Sequence, residues 1–292
     1  MRTHWSVGSF PSLFLGLLLA LSSNAVLADT AAAITAPLTQ YFAKRGGTTL
    51  KAIIYRPADW KPRQMRPAVV IFNGVGWQSG EPEWSESYAL HYQSKGIIAI
   101  CAQHRLSGGS VTPIDAIADA RDAIRWVRAN AVALSVDPNK IAAHGLSVGG
   151  HLAASAALFT GNSSTSPRPN ALILYSPALE LEKDAKFLEL LGPKASLATG
   201  SLTSLVREGL PPTIILQGDN DTITPFAGAK LFCDKMVEAG NRCELNRYMY
   251  VGHRFTPKGT PEFPNPKPDP RVEEAALVKV DAFLKSLGWI QN

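Results

Sequence analysis

The sequence has few cysteines and no cluster of residues that typically bind metals. It contains three cysteines among 292 residues, and none of them forms a Cys-x-x-Cys pair or lies beside a group of histidines. Because structural metal sites need such clusters, we predict no metal and no cofactor. Basic residues are also scattered, and the formal net charge is only +5. The sequence therefore lacks the basic surface that is typical of nucleic-acid-binding proteins.

The first 28 residues contain no acidic side chain and end in a pattern of small residues. A weakly positive start precedes the apolar run Leu13–Leu21, and Val26-Leu27-Ala28 follows it. The run has the length of a signal-peptide core and is too short to span a bilayer comfortably. We therefore predict that residues 1–28 are a cleaved signal peptide, with an uncleaved anchor as the alternative. The mature chain is then secreted or periplasmic and has no stable membrane anchor.

Apolar runs alternate with helical patterns along the rest of the chain. Continuous runs such as Ala68–Phe72 and Ala171–Tyr175 are typical of strands that are buried on both faces of a sheet. This alternation predicts an α/β fold with a mainly parallel sheet and helices on both faces. Further strands are predicted over Leu50–Tyr55, Ile97–Ala102, KIAAHGL, Pro212–Gln217 and CELNRYMY, and helices over Trp84–Ser94, IDAIADARDAIRWVRANA, GGHLAASAALF, PFAGAKLFCDKMVEAG and VEEAALVKVDAFLKSLG.

Two segments interrupt the alternation of strands and helices. Residues 176–210 lie between two predicted strands and contain LEKDAKFLELLG, a short amphipathic helix that is consistent with a small lid. Residues 258–270 are rich in proline, which excludes regular structure there. The proline-rich segment is either an extended surface loop or a wall of a binding site.

The cysteines fit an exported protein. Cys233 lies in a predicted helix and Cys243 begins the strand that follows, so the oxidising compartment permits a disulfide between them. Cys101 lies within an apolar run, which indicates a buried free thiol.

The stretch GLSVG places Ser147 after a predicted strand and before a predicted helix. In such a turn, the hydroxyl of the serine projects above the C-terminal edge of the sheet. The chain folds back on itself there, so the flanking positions must be small, and Gly145 and Gly149 meet this requirement. A phosphate-binding loop would need a different glycine spacing or a Gly-Lys-Ser/Thr ending. Ser147 is therefore the candidate nucleophile.

A nucleophilic serine needs a histidine as a base and a carboxylate that orients the histidine. In a strand–turn–helix context of this kind, the order along the chain is serine, acid, histidine. His253 is the only histidine far downstream of Ser147, since His151 lies one helical turn away. The loop after the penultimate strand contains Asp219 and Asp221, and the spacing from the end of that strand favours Asp221.

Seven motifs occur in an order that resembles the serine esterases of the α/β-hydrolase fold. The most similar group is that of the secreted bacterial acetylesterases and acetyl-xylan-esterase-like hydrolases, related to the hormone-sensitive-lipase type. The resemblance runs from about Leu50 to Leu287 and implies one α/β-hydrolase domain over residues 29–292, with a small lid-like insertion at 176–210. It also implies that Asp221 is the acid and His253 the base. The motifs are VIFNGVGW, HRLS, IRWVRANA, IAAHGLSVGGHLA, GLPPTIILQGDNDTITPF, AGNRCEL and VGHRF.

The loop after the predicted strand Ala68–Phe72 departs from the family pattern. The family usually has His-Gly-Gly-Gly-Trp there, whereas this chain has Asn-Gly-Val-Gly-Trp, ending at Trp77. The resemblance implies that the backbone N–H groups of Val75, Gly76 and Val148 form the oxyanion hole. A β-branched residue resists positive φ. Either the loop does not need positive φ at Val75, or the oxyanion hole is reshaped.

These observations predict a secreted serine hydrolase that cleaves carboxylic esters through an acyl-enzyme. The small insertion favours short acyl groups, such as acetyl esters of small molecules or carbohydrates. Three alternatives are an exopeptidase or amidase with the same triad, a lipase for long acyl chains, and a non-catalytic binding module. No feature of the sequence indicates an oligomeric state.

Overall fold

The computed structural model of the chain describes residues 1, 36–74, 76–159, 164–192, 200–263 and 265–290. The chain divides into the units Met1–Ala36 and Pro37–Asn292. Apart from Met1, the predicted signal peptide over residues 1–28 lies outside the described residues. The fold described below is that of Pro37–Asn292.

An eight-stranded sheet forms the centre of this unit. Its strands are β1 (Leu38–Arg45), β2 (Thr48–Tyr55), β3 (Arg66–Phe72), β4 (Ile98–Ala102), β5 (Val136–Leu146), β6 (Ala171–Tyr175), β7 (Thr213–Gly218) and β8 (Cys243–Tyr248). They lie in the order β1-β2-β4-β3-β5-β6-β7-β8. Strand β2 pairs antiparallel with both β1 and β4, and all other pairs are parallel.

Helices cover both faces of the sheet. Along β3, Val70 and Phe72 pack in one apolar layer with the helices Pro113–Ala129, Val148–Leu158 and Phe226–Glu238. Val69 and Ile71 pack in a second layer, on the other face of the sheet, with the helices Glu86–Ser94 and Pro270–Ser286. This arrangement confirms the predicted fold class. Within the described residues, no helix combines the length and apolar character needed to cross a membrane. The helices are α1 (Glu86–Ser94), α2 (Pro113–Ala129), α3 (Ala131–Leu134), α4 (Val148–Leu158), α5 (Ala185–Leu191), α6 (Phe226–Glu238) and α7 (Pro270–Ser286), and short 3-10 turns cover Pro82–Ser85, Thr203–Leu205 and His253–Phe255.

Most of the predicted elements agree with the structure to within one or two residues. Three differences are larger. The helix predicted over LEKDAKFLELLG begins only at Ala185, because the side chain of Asp184 caps its first turn. Strand β5 begins at Val136 and includes the Asp-Pro-Asn-Lys stretch. The prediction leaves this stretch out of the strand, because its residues favour turns. Strand β1 is not predicted at all, because it is an edge strand with mostly exposed or half-buried side chains and lacks a continuous apolar run.

A buried ion pair anchors the loop after β4 to α2. The guanidinium of Arg105 donates from Nε and Nη2 to the two carboxylate oxygens of Asp119, both at 2.8 Å. The backbone N–H of Arg105 donates to the same carboxylate at 2.9 Å. The side chain of Asp119 is fully buried. The side chain of Arg105 is only 13% exposed, and the pair holds the loop that follows β4 against α2.

Asp119→Asn is expected to lower the free energy of unfolding by about 3 kcal/mol, the low end for a buried pair, because Arg105 would keep only the half-buried carboxylate of Asp115, at 3.2 Å, as a charged partner. Chemical denaturation would measure the change. Asp59→Asn is the matched control: Asp59 pairs with Arg66 at 2.7 Å, but its side chain is 75% exposed. An exposed pair contributes less than about 1 kcal/mol. Equal losses in the two variants would contradict the stabilising role of the Arg105–Asp119 pair.

The cysteines lie in two different environments. Cys233 in α6 and Cys243 at the start of β8 are joined by a disulfide, with their Cα atoms 5.5 Å apart. Cys101 in β4 is a buried free thiol. The disulfide ties a helix to the edge strand of the sheet.

Candidate active site

Ser147 lies in a strained turn between β5 and α4. Its backbone has φ 52° and ψ −116°, a conformation that a residue with a side chain adopts only when its surroundings enforce it. The turn is held by a hydrogen bond from the N–H of Ser147 to the carbonyl of Tyr175, at 2.9 Å. A Cβ at Gly145 would overlap the carbonyl of Gly149, and a Cβ at Gly149 would overlap the carbonyl of Phe72. Both glycines are therefore required by the close approach of the backbone.

Ser147, His253 and Asp221 meet at the C-terminal edge of the sheet. The Oγ of Ser147 is 3.0 Å from Nε2 of His253. The other ring nitrogen, Nδ1, lies 3.0 Å from Oδ2 and 3.2 Å from Oδ1 of Asp221. All three residues are buried, with 5–6% of their surface exposed. The structure thus brings the three predicted residues within hydrogen-bond distance, in the order that nucleophilic catalysis needs.

The carboxylate of Asp221 is held by several donors besides His253. Its Oδ1 accepts from the backbone N–H groups of Ile223 (3.0 Å) and Thr224 (2.7 Å). Its Oδ2 accepts from the amide of Gln217 (2.8 Å) and from the hydroxyl of Thr224 (2.9 Å). The carboxylate is therefore fixed in orientation, and its oxygens are fully used as acceptors.

Asp219, the other aspartate of this loop, has a different environment. Its carboxylate accepts from the backbone N–H of Tyr250 at 2.9 Å and from the guanidinium of Arg247 at 3.2 Å. Asp219 therefore stabilises the turn after β8, while Asp221 faces the imidazole.

The three backbone donors predicted for the oxyanion hole are only partly described. Val75 lies outside the described residues. Gly76 and Val148 line the same pocket as Ser147. Gly76 has φ 59°, a conformation that costs a glycine little. A Cβ at the neighbouring Gly74 would overlap the carbonyl of Leu146, which shows how closely the loop approaches the turn that contains Ser147.

Ser147 opens into a pocket of about 370 Å³. One wall comes from the insertion that follows β6, where Leu181 and Leu190 line the pocket. The opposite wall comes from the proline-rich segment after His253. Of the two interpretations of that segment, the structure therefore supports the wall. The pocket is also lined by Trp77, Ile223, Phe263 and Pro266.

Several residues that contact the candidate triad or its loops are not predicted from the sequence. Thr224 and Gln217 contact the carboxylate of Asp221, and Glu262 contacts the loops that carry Asp221 and His253. Thr224 lies three residues after Asp221, a spacing at which a side chain commonly bonds the backbone of a turn, and this signal was available in the sequence. Gln217 and Glu262 give no such signal, because their contacts depend on tertiary structure.

His144 lies on β5, three residues before Ser147, within a buried aromatic cluster. Its Nδ1 is 2.7 Å from the hydroxyl of Tyr92, and its ring stacks on that of Tyr175, with ring centroids 5.0 Å apart. Burial lowers the pKa of His144 to about 3. The imidazole is therefore neutral in the folded protein at ordinary pH, and it packs as an aromatic side chain behind the turn of Ser147.

His144 is expected to make the protein less stable in acid. Between pH 6.5 and about 3, the unfolded chain binds a proton at His144 and the folded chain does not. The free energy of unfolding should therefore fall by about 1.4 kcal/mol for each pH unit below 6.5 from this group alone. Urea denaturation across this range should show a shallower pH dependence in His144→Gln, whose amide keeps a partner for Tyr92. Parallel pH curves for the two proteins would contradict the prediction.

Comparison with known proteins connects this geometry to named enzymes. The family described as BD-FAE matches residues 53–172. A probable isoprenylcysteine alpha-carbonyl methylesterase of Oryza sativa subsp. japonica is 26% identical over 230 residues, which are 70% of this chain and 54% of that protein. An acetylxylan esterase of Xylanibacter ruminicola is 28% identical over 172 residues, which are 55% of this chain and 35% of that protein. The chain thus spans about half the length of the methylesterase that it matches.

A solved structure matches over a larger share of both chains. The thermophilic esterase of Thermogutta terrifontis, in its propionate-bound form, is 34% identical and has a TM-score of 0.78. The match covers 89% of this chain and 97% of that one. Identity at this level over nearly the whole of that chain reflects common descent. The chain belongs to the esterases of the α/β-hydrolase fold.

Proposed function

We propose that this protein hydrolyses carboxylic esters, with Ser147 as the nucleophile, His253 as the general base and Asp221 as the orienting acid. One observation carries the proposal: the Oγ of Ser147 lies 3.0 Å from a histidine that is itself bound to a buried carboxylate. Ser147 and His253 also line a pocket that is open to a substrate. Membership of an esterase family supports ester bonds as the target.

The geometry supports a two-step mechanism. Nε2 of His253 takes the proton of Ser147 as Oγ attacks the ester carbonyl, and it then passes the proton to the departing alcohol. A water molecule that the same nitrogen deprotonates then attacks the acyl-enzyme. The bond between Oγ and the acyl carbon breaks, the acid leaves, and Nε2 returns the proton to Oγ of Ser147. Asp221 holds Nδ1–H, so that Nε2 is the nitrogen that accepts the proton in each step.

The oxyanion of each tetrahedral intermediate needs donors on the far side of the carbonyl from His253. The N–H of Val148 is one such donor, since it begins α4 directly after Ser147 and lies at the positive end of the helix dipole. We assign the N–H groups of Gly76 and Val75 to the same role. Donors of this kind contribute on the order of 3 kcal/mol each to stabilisation of the transition state.

The pocket supports short acyl groups. Its volume of about 370 Å³ must hold both the acyl group and part of the alcohol, and it lies near the lower end of the range for ligand pockets. A related structure holds propionate, and another relative is named as an acetylxylan esterase. We therefore propose acetyl-type esters of small molecules or carbohydrates as substrates.

Nitrophenyl esters of increasing chain length test this proposal directly. We expect the kcat/KM for acetate and butyrate esters to exceed that for the decanoate ester by at least about tenfold, because a long chain exceeds the pocket. An aminoacyl anilide serves as the peptidase substrate, and Ser147→Ala serves as the control for background hydrolysis. Preference for the decanoate ester would indicate a lipase, and preference for the anilide would indicate a peptidase.

We also propose that the mature protein is secreted or periplasmic. The apolar run and the small-residue pattern before Asp29 support export, and a disulfide between Cys233 and Cys243 suits an oxidising compartment. Sequencing the N-terminus of protein recovered outside the cytoplasm should give a start at or near Asp29. Recovery of the chain with Met1 intact, in the membrane fraction, would favour the uncleaved anchor.

A further inference from the structure

Glu262 connects the two loops that carry His253 and Asp221. It lies in the proline-rich segment, outside every strand and helix. One carboxylate oxygen, Oε1, accepts a hydrogen bond from the backbone N–H of His253. The other, Oε2, accepts from the backbone N–H of Thr222 at 3.0 Å and from the hydroxyl of Thr222. A single carboxylate thus bonds the backbone of the base and the residue next to the acid.

The backbone around Glu262 leaves room for this contact. A Cβ at Gly252 would overlap Oε1 of Glu262, so only glycine permits the carboxylate to reach the N–H of His253. His253 itself precedes two residues with positive φ, Arg254 at 52° and Phe255 at 64°. Such a backbone persists only where neighbouring groups hold it in place. The carboxylate of Glu262 is one of these groups.

We propose that Glu262 is a positioning residue that sets the distance between His253 and Asp221. This inference rests on the proposed ester hydrolysis. Two short hydrogen bonds, between His253 and Asp221 and between His253 and Ser147, depend on where the two loops lie relative to each other. A carboxylate is suited to this task because both of its oxygens accept, so that it bonds donors from both loops at once.

The test compares Glu262→Ala with Glu262→Gln and with the control Glu274→Ala, which removes an exposed glutamate from α7. Glu262→Ala should lower kcat on nitrophenyl acetate by on the order of 10–100-fold, because small misplacement of a catalytic group is costly. KM should change by less than about threefold, because Glu262 is only one of the residues that line the pocket and its carboxylate is already bonded to donors of the protein. Glu274→Ala should match the wild type.

Glu262→Gln separates the contact from the charge. Its carbonyl oxygen still accepts from the N–H of His253, and its amide group donates to the hydroxyl oxygen of Thr222, but the amide group cannot accept from the backbone N–H of Thr222. We therefore expect Glu262→Gln to keep one bond to each loop and to lower kcat by less than about fivefold, a smaller loss than in Glu262→Ala. If the glutamine variant loses as much activity as the alanine variant, the negative charge rather than the bridge is important, and the positioning role is wrong.

Gly252→Ala perturbs the same contact from the other side. Its methyl group should displace the carboxylate and lower kcat about as much as Glu262→Ala does. In the double variant the methyl group has space, so the two losses should not multiply, as is typical of residues that act through one contact. Losses that multiply fully would overturn the proposal.

A readout that does not depend on activity separates this inference from the proposed function. Hydrogen exchange at the backbone amide of His253 should speed up in Glu262→Ala and stay slow in Glu262→Gln and Glu274→Ala, whereas exchange at the backbone amide of Thr222 should speed up in both Glu262 variants. If the wild type shows no Ser147-dependent ester turnover, the proposed function fails, and exchange alone decides whether the bridge exists. If the wild type is active and Glu262→Ala is equally active, the positioning role fails and the proposed function stands.

Discussion

Ser147→Ala is expected to reduce kcat for ester hydrolysis by on the order of 10⁶-fold. The activity that remains would come from substrate binding and the oxyanion hole alone. The variant removes the atom that attacks the ester and leaves the other residues in place. The Oγ of Ser147 is 3.0 Å from Nε2 of His253, so its proton has a receiver within hydrogen-bond distance. Hydrolysis of nitrophenyl acetate by purified protein measures the effect.

Ser155→Ala is the matched control for this prediction. Ser155 lies in α4, eight residues after Ser147, and it is fully buried. Within the described part of the chain its hydroxyl makes no hydrogen bond, so its removal should leave activity and stability near those of the wild type. A fluorophosphonate probe should label the wild type and Ser155→Ala but not Ser147→Ala. Retention of more than about 1% of activity in Ser147→Ala would contradict the assignment of the nucleophile.

The parts of the site that the sequence predicts are those with local signals. The close approach of the backbone at the turn requires glycine at positions 145 and 149. The pentapeptide around Ser147 therefore predicts the turn from the sequence alone. The central strands are predicted equally well, because burial on both faces of the sheet requires continuous apolar runs such as that of β6. Local sequence and final structure agree wherever one backbone feature permits few residue types.

The parts that the sequence does not predict depend on contacts between distant segments. Strand β1 is held at the edge of the sheet by pairing with β2. None of its side chains is fully buried, so its sequence shows no apolar run that would predict a strand. Glu262 lies 40 residues from Thr222, and no periodicity or turn pattern relates them. Gln217 lies near the end of β7, a strand that is predicted from its apolar residues. Nothing in the sequence indicates that the amide of Gln217 contacts Asp221.

The proline-rich segment shows how composition limits such predictions. The proline content predicts neither helix nor strand over residues 258–270, and the structure has neither between 258 and 263 or between 265 and 269. The prediction is wrong at Pro270, which begins α7, because proline is tolerated in the first turn of a helix. Composition alone leaves open whether such a segment faces solvent or a ligand. The contacts of Glu262, Phe263 and Pro266 with the site decide this, and they arise from the fold of the whole chain.

Asp221→Asn is expected to lower kcat by on the order of 10⁴-fold, because either orientation of the amide conflicts with the donors around it. If the amide NH₂ takes the position of Oδ2, it faces the amide of Gln217 and forces Nδ1 of His253 to accept. The proton then sits on Nε2, where it prevents His253 from deprotonating Ser147. If the NH₂ takes the position of Oδ1, it faces the backbone N–H groups of Ile223 and Thr224.

Asp219→Asn tests the same loop without this conflict. An asparagine there keeps an oxygen that accepts from the N–H of Tyr250, so kcat should stay within about threefold of the wild type. Both variants should be compared by nitrophenyl acetate hydrolysis and by chemical denaturation, because a loss of stability common to both would report on the turn rather than on catalysis. A greater loss of activity in Asp219→Asn than in Asp221→Asn would move the acid to Asp219. It would also require the loop after β7 to rearrange when substrate binds, since in this structure only the Asp221 carboxylate lies within 3.2 Å of Nδ1 among the aspartates described in that loop.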